Sequence, residues 1–371
     1  MDVPVNGVVG AHFSKVTEPV ARLGAVLETV QISGGSTSAD LSNKDSYPFF
    51  GRTVPPDSLQ GRAMFSYWQH FQFPACHLIY EATEYGTSLY EIVTALASAS
   101  LSGTAWNRLV QYSLAINDDD SVDSARALKV LSRIREQGSR FVIICVVSLY
   151  ASELSDYLHG AGIWRPHYQI LWSESVVNAV LASDKIPVGL HAFTVHLNTS
   201  YFDDFASLYA EVDRGEFSNT RTFSRWKMMW DPVFNETKAQ ESIMQLIDES
   251  GAVEHYVLFF FDACLAFIHA FNQFLLEKRD PPAVRGRNLL KRIRQVNFTG
   301  ATGYVAFNED GDRVMNFSLT FFDEARVWVD AGMYDIDNNA LSIDRDLLWM
   351  DGSYSSKVPD ETLQCLLGLV M

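Results

Sequence analysis

Residues 33–57 read SGGSTSADLSNKDSYPFFGRTVPPD, a glycine- and hydroxyl-rich loop followed by an aromatic cluster and Arg-Thr-Val-Pro-Pro-Asp. Hydroxyls supply hydrogen bonds to polar ligand groups, and glycines let a backbone approach a ligand closely. Loops of this kind after parallel strands commonly form the ligand crevice of an open α/β sheet. An amino-acid-like ligand sets two demands. Its carboxylate wants hydroxyls and free N–H groups at a helix start, where the dipole is positive. Its ammonium wants an anion or an aromatic face. Ser14 is placed for the carboxylate, with Thr37 in an opposing loop beside Gly35 and Ser36. Ser14 and Thr37 have a second reading as caps of a helix or turn.

Catalytic patterns are absent. The sequence holds no Gly-x-Ser-x-Gly, no Walker-A loop and no His-Glu-x-x-His. His191 and His196 stand five positions apart in a β-like stretch, which puts them on opposite faces and reads as core or surface histidine. Residues 308–312, NEDGD, fail the spacing of a calcium loop and read as a β-turn. No cofactor is expected, and the chain reads as a non-enzyme.

The 371 residues are long for one core, so two globular units are expected. A 47% hydrophobic and 20% charged composition fits a packed soluble protein, and a net charge of −16 argues against nucleic acid as partner. Cys76, Cys145 and Cys264 sit in apolar runs and read as small buried hydrophobes, while Cys365 near the end can pair outside the chain. Four Asn-x-Ser/Thr triplets, at Asn198, Asn235, Asn297 and Asn316, are candidate glycosylation sites. No signal peptide opens the chain. The apolar stretch 256–271 carries Asp262 and His269 and reads as a buried helix, not a membrane span.

These residues must be positioned by alternating elements. A short strand in 3–9 precedes a helix whose Val16, Val20, Leu23, Val26 and Leu27 recur at 3–4 spacing. Pro19 is expected in its first turn, with Thr17 as N-cap. A strand at 29–32 completes β-α-β order, the signature of a parallel sheet. Strands follow at 75–80, 141–147, 168–172 and 188–197. Helices follow at 88–99, 124–137, 149–158 and 175–182, the second with Ala125, Leu128, Leu131 and Ile134 on one face. Residues 218–232 form a polar, Trp-punctuated connection, and a long apolar helix over 255–276 ends before Arg279-Asp280-Pro281-Pro282. Short strands and tight turns follow Gly300.

Six ordered blocks resemble one family. Val8-Val9-Gly10 through Ser14, SGGSTSADLS with YPFFGRTVPPD, YEATEYG (80–86), Phe260 to Ala263, FTGATGYVAFNEDGDR (298–313) and LLWMDGSYSSKVPD (347–360) are similar to the ligand-binding region of class C G-protein-coupled receptors and natriuretic-peptide-type receptor cyclases. The resemblance covers nearly the whole chain. It implies an α/β fold of the two-lobed type-1 periplasmic-binding kind, each lobe a mostly parallel sheet with flanking helices. The implied organisation is a first lobe over 1–52, a second over 53–199, a return to the first over 200–315, and terminal strands over 316–371. Part of the first lobe is expected ahead of Met1, and a membrane segment beyond Met371, so the chain reads as a soluble fragment of a longer receptor.

The resemblance further implies a receptor module on the extracellular side of the plasma membrane. It would close on a small amino-acid-like ligand, and the intact receptor would be a dimer. A receptor-cyclase ectodomain and a free solute-binding protein of a transporter are the alternative readings. By alignment, Ser14 and Thr37 hold the α-carboxylate and α-amino ends, while Asp57, Tyr85 and Glu174 match positions that serve the ammonium. Asp57 has a second reading as the N-cap of a helix near Ser58, Tyr85 as crevice lining, and Glu174 as a solvated helix-start acid. Gly34 and Gly35 stand where amino-acid-binding members carry an aromatic and a serine. Asn288 stands where glutamate-binding members have lysine, and an amide cannot supply that charge. A neutral or γ-amino acid is therefore expected rather than glutamate.

Overall fold

The computed structural model describes residues 5–100, 108–137, 139–179, 186–195, 255–277 and 284–359. The polar connection at 218–232, the Arg279-to-Pro282 stop, His196, Asn198, Asn235 and Cys365 lie outside them. Two units divide the chain. Unit 1 comprises Met1–Ser36, Asn43–Val54 and Leu197–Arg313, and unit 2 comprises Thr37–Ser42, Pro55–His196 and Val314–Met371.

In unit 1, β1 (Gly7–Val9), β2 (Val30–Ser33) and β3 (Phe50–Arg52) form a parallel sheet in that order. Helix α1 (Ser14–Leu27) connects the first two. It corrects two expectations. Thr17 is not the N-cap, because the helix starts one turn earlier, with the Phe13 carbonyl accepting from the Val16 and Thr17 N–H groups. Pro19 therefore lies inside the helix. The periodic apolar residues also face the other way. Ser14, Thr17, Ala21 and Gly24 are buried, whereas Val16, Val20, Leu23, Val26 and Leu27 are exposed, as is Phe13. Small side chains let α1 lie close to its neighbours. A Cβ on Gly24 would stand 2.8 Å from the Thr29 carbonyl oxygen.

The sheet of unit 1 is covered by α7 (His255–Leu276) and α8 (Gly286–Gln295). Val30 and Ile32 pack with Ala263, Ala266, Phe267 and Ala270 of α7 and with Leu289, Leu290 and Ile293 of α8. Each large apolar side chain buried this way contributes about 1.5–3 kcal/mol. By length and composition α7 is apolar enough to cross a membrane. Its alanine-rich face is nevertheless core, and Asp262 is a fully buried acceptor. Asp262 Oδ1 accepts from the Ala301 N–H at 2.7 Å, and Oδ2 accepts from the Thr302 N–H at 3.0 Å and from the Thr302 hydroxyl. Those partners lie in the turn between β9 (Phe298–Gly300) and β10 (Gly303–Val305). A Cβ on Gly300 would sit 2.1 Å from Asp262 Oδ1, so this glycine of FTGATG is dictated by the helix acid.

Unit 2 is built on an eight-stranded sheet. Its elements are α2 (Asp57–Phe71), β4 (Ala75–Glu81), α3 (Glu84–Ser100), β5 (Arg108–Leu114), α4 (Ser124–Glu136), β6 (Phe141–Cys145), α5 (Ser148–Gly160), β7 (Gln169–Trp172), α6 (Ser175–Ala179) and β8 (His191–Val195). Strands β11 (Phe317–Phe322), β12 (Trp328–Asp335) and β13 (Ala340–Ile343) complete the order β13-β12-β11-β8-β7-β6-β4-β5. Pairs from β5 through β8 are parallel, and those from β8 to β13 are antiparallel.

Both faces of this sheet are covered, which is why β6 is a continuous apolar run. Phe141, Ile143 and Cys145 enter one core with Trp68, Phe73 and Trp349, while Val142 and Ile144 enter the other with Leu131, Leu154 and Trp172. Helix α4 buries Ala127, Val130, Leu131 and Ile134, so its expected face is rotated and Leu128 is exposed. The WMDG block is the hairpin of β14 (Leu347–Leu348) and β15 (Tyr354–Ser355), with Trp349 fully buried and its indole N–H donating to the Ser355 carbonyl at 3.0 Å.

Candidate ligand-binding site

On unit 1 the candidate residues sit where β2 delivers its loop against the segment ahead of α1. The Ser33 hydroxyl donates to the Ala11 carbonyl at 2.6 Å and accepts from the N–H groups of Gly35 and Ser36. The Ser36 hydroxyl contacts the Ala11 and His12 carbonyls at 3.1 Å each and the Thr17 hydroxyl at 2.7 Å. Ser36 is fully buried, so its side chain fastens the two loops together. The glycines have an intramolecular cause as well. A Cβ on Gly34 would lie 2.5 Å from Phe260 N, and one on Gly35 would lie 2.6 Å from His12 Nδ1. What approaches these glycines closely is the chain itself. Ser14 is buried as the first residue of α1, and Asn288 is exposed in the first turn of α8.

Two resembling blocks interlock behind this loop. Arg52 Nε meets Asp312 Oδ1 at 2.6 Å with both side chains buried, and Arg52 Nη1 donates to the Ser36 carbonyl at 3.0 Å. Arg313 is also fully buried, donating to the Thr302 hydroxyl at 3.0 Å and to the Tyr304 carbonyl at 2.8 Å. Burial lowers its pKa to about 10, against the pull of Asp262. The FGRT and EDGDR motifs are therefore one charge-paired clasp. Residues 308–312 form a turn, with Asn308 Oδ1 accepting from the Asp310 and Asp312 N–H groups.

On unit 2 the candidates gather beyond the C-terminal ends of the parallel strands, where open α/β sheets hold ligands. Thr37 is buried and its carbonyl accepts the Asp57 N–H at 2.7 Å. Pro56 is the N-cap of α2 and Asp57 its first residue, which corrects the reading of Asp57 as N-cap. Tyr85, in the first turn of α3, donates its hydroxyl to Glu174 Oε2 at 2.9 Å. Sequence reading missed a third acid, Glu81, at the end of β4. It is buried, with Oε1 accepting from the Thr83 hydroxyl at 2.5 Å and Oε2 from the Val147 N–H at 3.0 Å. Burial raises its pKa. The signal was present in YEATEYG, because a carboxylate ending an apolar strand must find donors or a cation.

The acids converge. Burial raises the Cys145 thiol, and the charges of Asp57, Glu174 and Glu81 push it the same way. Asp57, Glu81 and Glu174 thus act on one another's surroundings near the ends of β4, β6 and β7 as an acidic patch, with Asp57 and Glu81 buried and Tyr85 bonded to Glu174 at its edge. Such a patch suits an ammonium group. Among the described residues, no group of three or more metal-ligating side chains converges. Of the two glycosylation triplets described, Asn297 is exposed, while Asn316 is occupied by the Ile336 N–H at Oδ1 and by Met333 Sδ at Nδ2.

The fold and these sites define a ligand-recognition module. Residues 1–324 match the model of the receptor family ligand binding region, and the chain belongs to that family, whose fold is the periplasmic-binding-protein-like type I. It is similar to metabotropic glutamate receptor 6 of rabbit, with 26% identity over 97% of this chain and 44% of the relative. The rat metabotropic glutamate receptor 6 shares 25% identity over 97% of this chain and 43% of the relative. A probable metabotropic glutamate receptor of Caenorhabditis elegans is 40% identical over 82 residues, 22% of this chain and 8% of the relative. The chain thus spans less than half the length of these curated relatives.

Proposed function

We propose that this chain is the non-enzymatic, extracellular recognition module of a membrane receptor, that it binds a small amino-acid-like ligand, and that it signals by lobe closure. In this reading unit 1 is the first lobe with its return segment and unit 2 the second. The observation that carries the ligand class is the convergence of Asp57, Glu81 and Glu174 with Tyr85 on unit 2. Three acids and an aromatic hydroxyl favour a primary ammonium over an anion. On unit 1, Asn288 brings no cation for a distal carboxylate, which favours a neutral or γ-amino acid over a dicarboxylic one. Titration calorimetry of the 371-residue chain against glycine, alanine, serine, γ-aminobutyrate and glutamate tests this. Heat from neutral members, reduced in Glu174→Gln, supports it, and no heat from any with the protein folded overturns it.

The partner in this reading is a second copy of the chain, seated on α1. Phe13, Val16, Val20, Leu23 and Leu27 follow 3-4-3-4 spacing, the seam along which two helices pack, and all are exposed. A two-fold axis places the same stripe on both copies, so one apolar surface satisfies itself.

A further inference from the structure

Unit 1 holds a second concave site whose chemistry is opposite to that of the acidic patch. A cavity of about 640 Å³ lies between α8, the loop around Lys44 and the turn at 307–309. Four cations line it, Lys44, Arg287, Lys291 and Arg294, against one acid, Glu309. The three from α8 stand at i, i+4 and i+7 on one helix face, so the helix itself gathers them. They do so in a chain of net charge −16, whose overall field works against collecting anions.

Two neighbouring acids, Asp310 and Asp312, act on Arg294 and Lys44 from outside the cavity lining, and other charges nearby are engaged. Arg292, on the same helix, pairs with Glu277 at 2.8 Å and lies over the Phe274 ring. Asp312 holds Arg52. Among the described residues, Arg287, Lys291 and Arg294 make no ion pair within 4 Å. Arg294 Nε is buried and makes no hydrogen bond. Arg294 is only half-buried, but an Nε–H shielded from water without an acceptor is costly unless an anion reaches it. Pro48, Leu290 and Phe307 add an apolar wall to the same cavity.

We propose that this cavity binds a small organic oxyanion of at least two negative charges, a phosphate-ester-type ligand. Its charged head lies among Lys44, Lys291 and Arg294, and its body lies against Pro48, Leu290 and Phe307. This goes beyond the amino-acid-like ligand, uses none of its residues, and stands whether or not that reading does. Burial lowers the Lys44 ammonium to about 8, and Arg52 and Arg294 push it further the same way, although Asp312 opposes them. A dianion in the cavity would relieve that repulsion.

The test is titration calorimetry of the 371-residue chain with phenyl phosphate, phenyl sulfate, benzoate and inorganic phosphate, at ionic strength balanced with sodium chloride. Phenyl phosphate is expected to bind tightest. Phenyl sulfate and benzoate, with one charge each, bind more weakly, and inorganic phosphate lacks the apolar contact. Lys291→Gln and Arg294→Gln should each weaken phenyl phosphate by about tenfold or more. Arg287→Gln, at an exposed position, supplies a variant whose folding is not at risk. Heat indistinguishable from the sodium chloride control overturns the proposal, as does phenyl phosphate affinity unchanged in all three variants.

Discussion

Tyr67 Oη lies 2.6 Å from His191 Nδ1, and both side chains are fully buried. The other ring nitrogen, Nε2, is 2.9 Å from the Leu348 carbonyl, which only accepts, so Nε2 carries the proton and Nδ1 accepts from the Tyr67 hydroxyl. The imidazole is neutral, in edge contact with the Tyr67 ring and tilted against Trp349. Burial lowers its pKa from 6.5 to about 4.

Acid should therefore weaken the fold through its buried imidazoles, while Glu81 and Asp262, whose pKa values burial raises, act in the opposite direction. Between pH 6.5 and 4 the unfolded imidazole binds a proton that the folded one refuses, so stability falls as pH falls through that window. The loss for His191 is about 3 kcal/mol. His77, lowered by burial to about 4, adds in the same direction. Urea unfolding midpoints at pH 7 and pH 4.5 measure the slope. His191→Gln, which keeps a donor for Leu348, should flatten it, and an unchanged slope would place the sensitivity elsewhere.

The Arg52–Asp312 pair should be a stability determinant. Removing one partner leaves a buried charge uncompensated, at about 3–5 kcal/mol. Asp312→Asn should lower the unfolding midpoint by that order, and Asp310→Asn, at an exposed position of the same turn, should leave it within about 0.5 kcal/mol. Chemical denaturation of both variants decides it.

Gly34 and Gly35 should resist substitution for reasons unrelated to ligand. A methyl at Gly34 meets the α7 backbone at Phe260, which cannot swing aside. Gly34→Ala should cost about 1–3 kcal/mol with or without amino acid present. Equal stability with lost ligand binding would instead return the glycines to the ligand.

On unit 2, Tyr85→Phe removes only the hydroxyl that donates to Glu174. Glu174 then loses one donor and a fixed orientation. Amino-acid affinity should fall by about tenfold, while far-UV dichroism and melting stay near wild type. Affinity untouched by this change removes the pair from the proposed site.

Leu23→Asp tests the α1 seam. Leu23 is exposed, so the change should leave folding intact while shifting sedimentation velocity profiles toward monomer. An unaltered profile in a wild-type dimer moves the interface off α1.

Much of the architecture was legible in residue order. The β6 run FVIIC, the α7 stretch HYVLFFFDACLAFIHAFNQFLL and the β-α-β opening declared themselves, because sheets covered on both faces and buried helices need apolar runs. What misled was the direction of amphipathicity. The valines and leucines of α1 and Leu128 of α4 recur with helical period, yet period does not say whether a stripe faces its own core. Strand β5, RLVQYSL, mixes polar and apolar residues and gave no clean signal. Of the candidate site, Tyr85 and Glu174 were found by resemblance, but their direct contact joins residues far apart in sequence. Glu81 went unnoticed as the polar end of an apolar strand. Ser36 and the two glycines looked ligand-directed, since nothing in the loop reveals that His12 and Phe260 fill the space beside it.

The division of the chain has a consequence for how the protein is made. Unit 1 is assembled from three separated segments, the last beginning at Leu197. Emerging from the ribosome, β1, β2 and β3 thus precede α7 and α8, the helices that cover Val30 and Ile32, by the whole length of the Pro55–His196 segment. Nascent chains ending before α7 carry an uncovered parallel sheet face, and those ending before Asp312 an unpaired β3 edge, the type of surface that aggregates during slow, long-range assembly. Neither unit can be excised as a contiguous stretch. Synthesis should leave unit 1 in the care of chaperones until the EDGDR turn arrives to close the Arg52 clasp.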